Sequence, residues 1–398
     1  MSASQFAPVN PRVLVWARQD SGWPIEAVAH KLAVKVERLQ AWESGDKQPT
    51  VRQVQNLAKF LHRPLSTFFQ PNPPDLPPLA AEYRRLPHVM PGAESPLLRL
   101  ALRQMINRRQ AALDLFQELG DAIPVFAGVA HLSDTPAAVG QRLRQLVGLD
   151  DSTQLAWASE WHAWRAWRAA VEAAGVLVFQ FTKVELDEVR GLSLLDAPLP
   201  VVGINSKERV PEAKAFTLLH EVVHLMLAAG HEELPALKEK RTGAQWLDIE
   251  RFAESAASHA LLPEALLQLH AATFVGSDGD WTLQEVRRLA RRFWITPLAM
   301  ATRLRESGLM SWVRYNTWRK QWQDHIAALP KRSGGFATPA EKTFNRYGRP
   351  FVQLVLEAMS INRITSVDAA RYLDLKFQHF EQLKNIVHGS SSVGPTNG

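Results

Sequence analysis

The chain has no cysteine and no apolar run of the roughly 18 residues that a membrane span requires. The absence of cysteine excludes disulfide bonds, cysteine zinc fingers and thiol catalysis, and it fits a reducing cytoplasm. Because the start of the chain lacks a signal-peptide pattern, nothing predicts export. We therefore expect a cytoplasmic protein that does not enter a membrane. Its length allows two or three domains, and 46% hydrophobic residues can supply their cores.

Positive charge is unevenly distributed along the chain. The formal net charge is +6, and residues 1–70 carry nine Lys and Arg against five Asp and Glu. Residues 311–350 carry eight against two, with aromatic residues interleaved. Both segments favour anionic partners such as nucleic acid. For the second segment, a basic solvated linker with some packed aromatic residues is the simpler interpretation.

The strongest chemical motif consists of His220, Glu221 and His224, in the apolar run AFTLLHEVVHLMLAAG. Positions i and i+4 share one face of a helix, with Cβ atoms about 6 Å apart, so the two imidazoles can close on one Zn²⁺. Glu221, next to the first His, has the position of the general base in such motifs. The apolar neighbours predict a buried helix and a site of low dielectric constant. Two histidines that only form hydrogen bonds in a core are the alternative.

A third protein ligand is expected on the next helix. The segment WLDIERFAESAASHALLP (246–263) has small apolar residues at helical intervals, and Glu250 lies at the head of that stripe. A buried, unpaired carboxylate is costly, which makes a metal ion its natural partner. Glu254, one turn further on, shares this face and is the competing candidate. We predict one zinc ion per chain, held by His220, His224 and Glu250, with a fourth position open.

Near the start of the chain, the sequence predicts several short helices. Apolar spacing and turn residues place four of them at Arg12–Gln19, Ile25–Leu32, Lys35–Glu43 and Val51–Leu61. Two short helices joined by a turn of three or four residues form a helix-turn-helix, whose second helix can enter a DNA major groove.

Residues 10–70 resemble the Cro/CI-type (XRE) DNA-binding domains, chiefly in VAHKLAVKVERLQAWESGDKQPTVRQVQNLAKFL. The resemblance implies a recognition helix that faces the groove with Lys35, Val36, Glu37, Gln40 and Ala41. It also implies a double-stranded DNA operator and a homodimer, since a symmetric operator needs two half-site readers. This face lacks the residue pairs that read bases best, so docking to a protein is the alternative role.

Three segments before the metal-binding motif predict strands, and the first, which is nearly all apolar, predicts a buried one. These are GVLVFQFT (175–182), EVRGLSLLD (188–196) and LPVVGIN (199–205). The order of strands, H-E-x-x-H helix and Glu-bearing helix ending in Leu-Leu-Pro resembles the ImmA/IrrE family of metallopeptidases.

The ImmA/IrrE resemblance implies cleavage of an XRE-type repressor. It assigns His220, His224 and Glu250 as ligands and Glu221 as the base. Glu254 departs from the pattern, which usually has Asn there. A second carboxylate could hold a ligating His from outside the ligand set, or it could compete for the metal.

Three functional interpretations follow. The first is a DNA-binding transcriptional regulator whose zinc endopeptidase domain cleaves a repressor in a stress or phage-type response. The second is a transcription factor whose metal domain is a non-proteolytic sensor, and the third is an antitoxin-like binding protein. Glu221 favours the first, because a purely structural metal site has no use for a glutamate that is not a ligand.

Five prolines in PNPPDLPP (71–78) mark the clearest boundary and predict an extended spacer. The expected fold is a mostly α multidomain protein: an all-α helix-turn-helix domain, a central α+β zincin-like domain with a small sheet, and a C-terminal helical region. The predicted segments are the helix-turn-helix domain (1–70), a proline-rich linker (71–92), a helical region (93–170), the zinc peptidase domain (171–310), a basic linker with the C-terminal helical region (311–388) and a disordered tail (389–398).

Overall fold

A computed structural model describes residues 5–84, 86, 89–195, 197–273, 281–327 and 337–389. All but the first residue of the predicted disordered tail lie outside these ranges. The chain divides into two compact units. The first comprises Met1–Ala81 and Val89–Gln104, and the second comprises Glu82–His88 and Met105–Gly398.

The first unit contains the predicted helix-turn-helix. Its helices are α1 (Pro11–Asp20), α2 (Ile25–Leu32), α3 (Val36–Glu43) and α4 (Val51–Leu61), with short 3-10 turns at Leu65–Phe69 and Leu79–Ala81. Ala33 ends α2 in the left-handed region (φ 54°), which turns the chain sharply into α3. Thr50 and Gln53 form a capping box that fixes the start of α4. Leu39, Trp42 and Leu57 lie in the core that joins these helices.

The remaining elements follow in chain order. The helices are α5 (Pro96–Leu119), α6 (Pro136–Leu146), α7 (Asp151–Leu155), α8 (Glu160–Ala173), α9 (Pro211–Ala229), α10 (Gly243–Leu261), α11 (Glu264–Ala271), α12 (Leu283–Phe293), α13 (Pro297–Glu306), α14 (Trp312–Ala327), α15 (Pro339–Ser360), α16 (Ser366–Tyr372) and α17 (Phe380–Gly389), with a 3-10 turn at Phe377–His379. The strands are β1 (Leu177–Phe181), β2 (Gly191–Leu194) and β3 (Val201–Asn205). Within the described ranges, no helix is long and apolar enough to cross a lipid bilayer.

The three strands form one mixed sheet in the order β1-β3-β2. Strand β1 runs parallel to β3, with Leu177 opposite Val201, and β2 runs antiparallel to β3, with Leu192 opposite Gly203. Every residue of the three strands is buried. The expected fold class is confirmed: a mostly helical chain with a small sheet in its central region. In this sheet β2 is an edge strand, which matters for the site below.

Helix α9 lies at the centre of the second unit. It begins at Pro211, whose fixed φ suits the first helical position, and it ends at Gly230. Helices α8 and α10 and strands β2 and β3 pack around it. Because neighbours enclose it, α9 can be apolar on nearly every face. Helix α10 starts with a capping box of Thr242 and Gln245. It packs so closely on α6 that its backbone leaves no room for a side chain at Gly140.

The basic segment after residue 311 differs from its prediction as a linker. Residues Trp312–Ala327 form α14, because Tyr315 and Trp318 are buried in the core of the second unit. Helix α15 is interrupted at Gly348, which has a φ of 75°. Apolar side chains at helical spacing therefore outweigh the basic charge of this segment. Phe336, one of its interleaved aromatic residues, lies outside the described residues.

Candidate metal centre

Helices α9 and α10 bring three donor side chains together. His220 and His224 lie one turn apart on α9, and Glu250 lies on α10. The His220 Nε2 and His224 Nε2 atoms are 3.0 Å apart. Glu250 Oε2 lies 3.3 Å from His220 Nε2, and Glu250 Oε1 lies 3.6 Å from His224 Nε2. These are the three residues that the sequence predicts as ligands, and all their donor atoms lie within 4.8 Å of one another.

The donor group has the chemistry and spacing that a zinc ion requires. Tetrahedral zinc sites use His nitrogen and carboxylate oxygen at about 2.0–2.2 Å, which separates the donor atoms by about 3.3 Å. The separations of 3.0 to 3.6 Å in the chain match that value. His220 directs its Nε2 towards the group, and its Nδ1 is buried without a hydrogen-bond partner among the described residues. The three residues therefore fit a metal ion of this kind.

Glu233 contacts the ring nitrogen of His224 that points away from the donor group. Its Oε1 contacts His224 Nδ1, and both side chains are fully buried. Burial lowers the pKa of His224, but Glu233 and Glu250 raise it more strongly, to about 9. Such a carboxylate partner fixes the tautomer and directs the other ring nitrogen to the donor group. The sequence suggested Glu254 for this role, but Glu254 is exposed on α10.

Glu233→Gln is expected to weaken zinc binding about 10- to 100-fold, the usual effect of losing an outer carboxylate partner. A neutral amide cannot support the His224 imidazole with a full negative charge. The measurement is competition with a chromophoric zinc chelator at fixed pH. Glu232→Gln is the matched control, since Glu232 is partly exposed and contacts the partly exposed side chain of His131. Unchanged affinity in Glu233→Gln would contradict this role.

Glu221 lies beside the donor group, 2% exposed. The Ser193 hydroxyl donates a hydrogen bond to its Oε2. Arg84 binds both carboxylate oxygens, with Nε 3.1 Å from Oε2 and Nη2 3.0 Å from Oε1. Burial raises the pKa of Glu221, but the Arg84 guanidinium outweighs it and holds the pKa below its ordinary value. Glu221 is therefore ionised at neutral pH, as a general base must be.

Arg84 is a site residue that the sequence did not reveal. It belongs to the segment predicted as a linker, yet it is 1% exposed, and its Nη1 donates to Glu250 Oε1 at 2.8 Å. Burial lowers the pKa of Arg84, but the negative charges of Glu221 and Glu250 raise it by more than burial lowers it. The pKa is therefore above its ordinary value, and the guanidinium stays charged. One cation thus bridges the predicted base and a predicted ligand.

Gly191 allows β2 to lie against the site. A Cβ atom at this position would lie 2.5 Å from Thr217 Cγ2 and 2.9 Å from Glu221 Cγ. Contacts this short do not occur between real side chains, so any larger residue would displace α9 or Glu221. The missing side chain therefore sets the distance between the edge strand and the predicted base.

In the first unit, the predicted DNA-facing residues lie on α3 and at Lys35, which caps its N-terminus. Lys35, Glu37 and Gln40 are exposed, whereas Val36 and Ala41 are half-buried. Val36 packs against the core of this unit. A shallow cavity beside them is lined by Val34, Lys35, Glu37, Arg38, Lys47 and Gln53. Arg38 and Lys47 were not predicted, and with Lys35 they place three cations on one surface.

Comparison with known proteins identifies both regions. The Helix-turn-helix family model matches residues 14–68, and the model for the IrrE N-terminal-like domain, a peptidase family, matches residues 171–305. No curated protein matches the chain. The first match supports DNA binding, and the second indicates a metallopeptidase type of domain that contains the donor group. Both resemblances found in the sequence are confirmed. The chain joins an XRE-type helix-turn-helix domain to an IrrE/ImmA-like peptidase domain, as in a transcription regulator with a protease-like domain.

Proposed function

We propose that this regulator is a zinc-dependent endopeptidase that cleaves an XRE-type repressor protein in a stress or phage-type response. The observation that carries the proposal is the convergence of His220, His224 and Glu250 beside a buried Glu221. A structural metal site would be explained by the donor group alone. A carboxylate that is adjacent to that group, and outside it, has the position of a general base for hydrolysis.

The residues around the site have distinct tasks in hydrolysis. Bound zinc would polarise the scissile carbonyl and lower the pKa of a water molecule. Glu221 accepts a proton from that water as the water oxygen attacks the carbonyl carbon. Glu221 then returns the proton to the amide nitrogen as the carbon–nitrogen bond breaks. Ser193 orients the Glu221 carboxylate through its hydroxyl, and Glu233 fixes the ring of His224.

The edge of β2 is the surface that suits an extended substrate. Within the three-stranded sheet, β2 is the edge strand and pairs with β3 along one of its sides. Gly191 places β2 directly beside Glu221. An extended peptide can add to such an edge through backbone hydrogen bonds, which hold many sequences in one register. A repressor segment bound along β2 would pass the predicted base.

The cleavage proposal is tested with purified XRE-type repressor proteins. Each is incubated with the zinc-loaded full-length chain, and intact-mass spectrometry detects cuts. Cleavage should stop when a chelator removes the metal and return when zinc is restored. A non-proteolytic metal sensor is the second candidate. It is favoured by the hydrogen bonds of Arg84 to both carboxylate oxygens of Glu221, which engage the predicted base. If neither the wild type nor the Arg84→Ala variant cuts any repressor, the sensor interpretation replaces the peptidase interpretation.

We infer that the DNA contacts of a homodimer include Lys35, Arg38 and Lys47. Replacing Arg38 and Lys47 by Ala should weaken binding and lower the slope of log affinity against log salt by about 1 for each lost phosphate contact. The measurement is fluorescence anisotropy with the protein's own promoter DNA over a salt series. Lys59→Ala, an exposed change on α4, is the control. An equal salt slope in all three proteins would place the DNA surface elsewhere.

A further inference from the structure

Residues Glu82–Arg84 and Leu86 are called the strap, and the strap pairs with the edge of β2 through an isolated β-bridge. Tyr83 forms an antiparallel bridge with Leu194, and the Arg84 amide donates to the Ser193 carbonyl at 3.3 Å. On its other side, the Ala236 amide donates to the Tyr83 carbonyl at 2.8 Å, and Arg84 bridges to Pro235. The strap thus occupies the edge that suits an extended substrate.

The strap is also anchored by its side chains. Tyr83 and Leu86 are both buried. Arg84 binds both oxygens of Glu221 and one oxygen of Glu250. Charged pairs of this kind, once desolvated, are costly to separate, because each partner would be left as an unpaired charge. The predicted base and the binding edge are therefore both in contact with the strap.

These contacts distinguish two roles for Arg84, which are orienting Glu221 for catalysis and blocking the site. An arginine that only orients Glu221 for catalysis would leave the β2 edge free for a substrate. In this chain the backbone of Tyr83 and Arg84 pairs with Leu194 and Ser193 on that edge, so the side-chain contact and the backbone contact block the site together. The arrangement is that of a strand held in the place of substrate.

The position of the strap in the chain suggests how it could move. The residues before it, Met1–Ala81, and after it, Val89–Gln104, belong to the first unit, whereas the strap belongs to the second. Its two ends are covalently continuous with the DNA-binding unit. A change of conformation in that part of the chain would act on the strap directly.

We propose that the strap is an internal pseudosubstrate strand that keeps the peptidase site latent until it leaves the β2 edge. The proposal rests on the peptidase function proposed above and names its regulation. In the latent state the Glu221 carboxylate is paired with Arg84 and no peptide can add to β2. Departure of the strap frees the carboxylate and the edge in one step.

The test compares zinc-loaded full-length wild type with Arg84→Ala, using fluorescein-labelled casein as the probe. We expect Arg84→Ala to cut casein about tenfold faster or more, since the rate follows the fraction of open molecules. Hydrogen–deuterium exchange at the Ala236 amide should accelerate as well, because that amide loses its bond to Tyr83. Arg251→Ala is the control, since Arg251 lies exposed on α10 and pairs with the exposed Asp248. The double variant Arg84→Ala/Glu221→Gln should be inactive.

A second variant covers the case in which Arg84→Ala fails to fold. Leu86→Ala removes a buried anchor of the strap and leaves the charges of the site intact, so it should change both readouts in the same direction. Slower cleavage with unchanged exchange in these variants would overturn the proposal, because Arg84 would then assist the reaction. Faster exchange without cleavage of casein or of any repressor would support the strap's place on the edge and would count against the peptidase function.

Discussion

Glu221→Gln is expected to lower the rate of protein cleavage about 10²- to 10⁴-fold, the range that general acid–base catalysis contributes. The amide keeps the size of the side chain, so the close packing against Gly191 is preserved. It cannot accept the proton that the attacking water must lose. Zinc content should stay at one ion per chain, because Glu221 is outside the donor group. The measurements are initial cleavage rates and metal content by atomic spectroscopy, in wild-type and Arg84→Ala backgrounds.

Glu254→Gln is the matched control for this substitution. It makes the same chemical change on an exposed face of α10, so its rate and zinc content should equal those of the wild type. Loss of zinc in Glu221→Gln would show that this carboxylate is a ligand and would remove the proposed base. An unchanged rate would show that another group takes the proton.

The parts of the structure that depend on neighbouring residues could be predicted from the sequence. The helices Ile25–Leu32 and Val51–Leu61 have the predicted bounds, because apolar spacing and turn residues define them locally. The spacing of His220 and His224 fixes their shared face in the same way. Glu250 could be predicted although it lies on another helix, because the small apolar residues after it identify the face of α10 that packs inward.

The other side chains of the site depend on contacts between distant parts of the chain. Arg84 is 137 residues from Glu221 and 166 from Glu250, and no local pattern connects them. Glu233 lies only nine residues after His224, but α9 ends between them, so helical periodicity does not apply. The proline-rich composition before Arg84 favours an extended linker. Burial of Tyr83 and Arg84 against β2 and the carboxylates outweighs that local tendency.

Glu250→Gln is expected to weaken zinc binding by more than about 100-fold, beyond the effect of an outer partner such as Glu233. Burial raises the pKa of Glu250, but Arg84, His220 and His224 hold it well below its ordinary value, so a full negative charge faces the two imidazoles. A neutral amide oxygen removes that charge from the donor group. The measurement is chelator competition at fixed pH, together with the rise in melting temperature on adding zinc, which should disappear in the variant.

Glu254→Gln distinguishes the two carboxylates of α10 that the sequence left in competition. The donor atoms of Glu250 meet both imidazoles, whereas Glu254 is exposed one turn further along the helix. Zinc affinity in Glu254→Gln should therefore match that of the wild type. If Glu254→Gln lost zinc and Glu250→Gln kept it, α10 would have to rotate by about 40° and shift by about 6 Å along its axis to present the later carboxylate, since four residues turn a helix through about 400° and advance it by about 6 Å. Such a rotation would also move Ala253 and Ala257 out of the core, so the packing of α10 itself favours Glu250 as the third ligand.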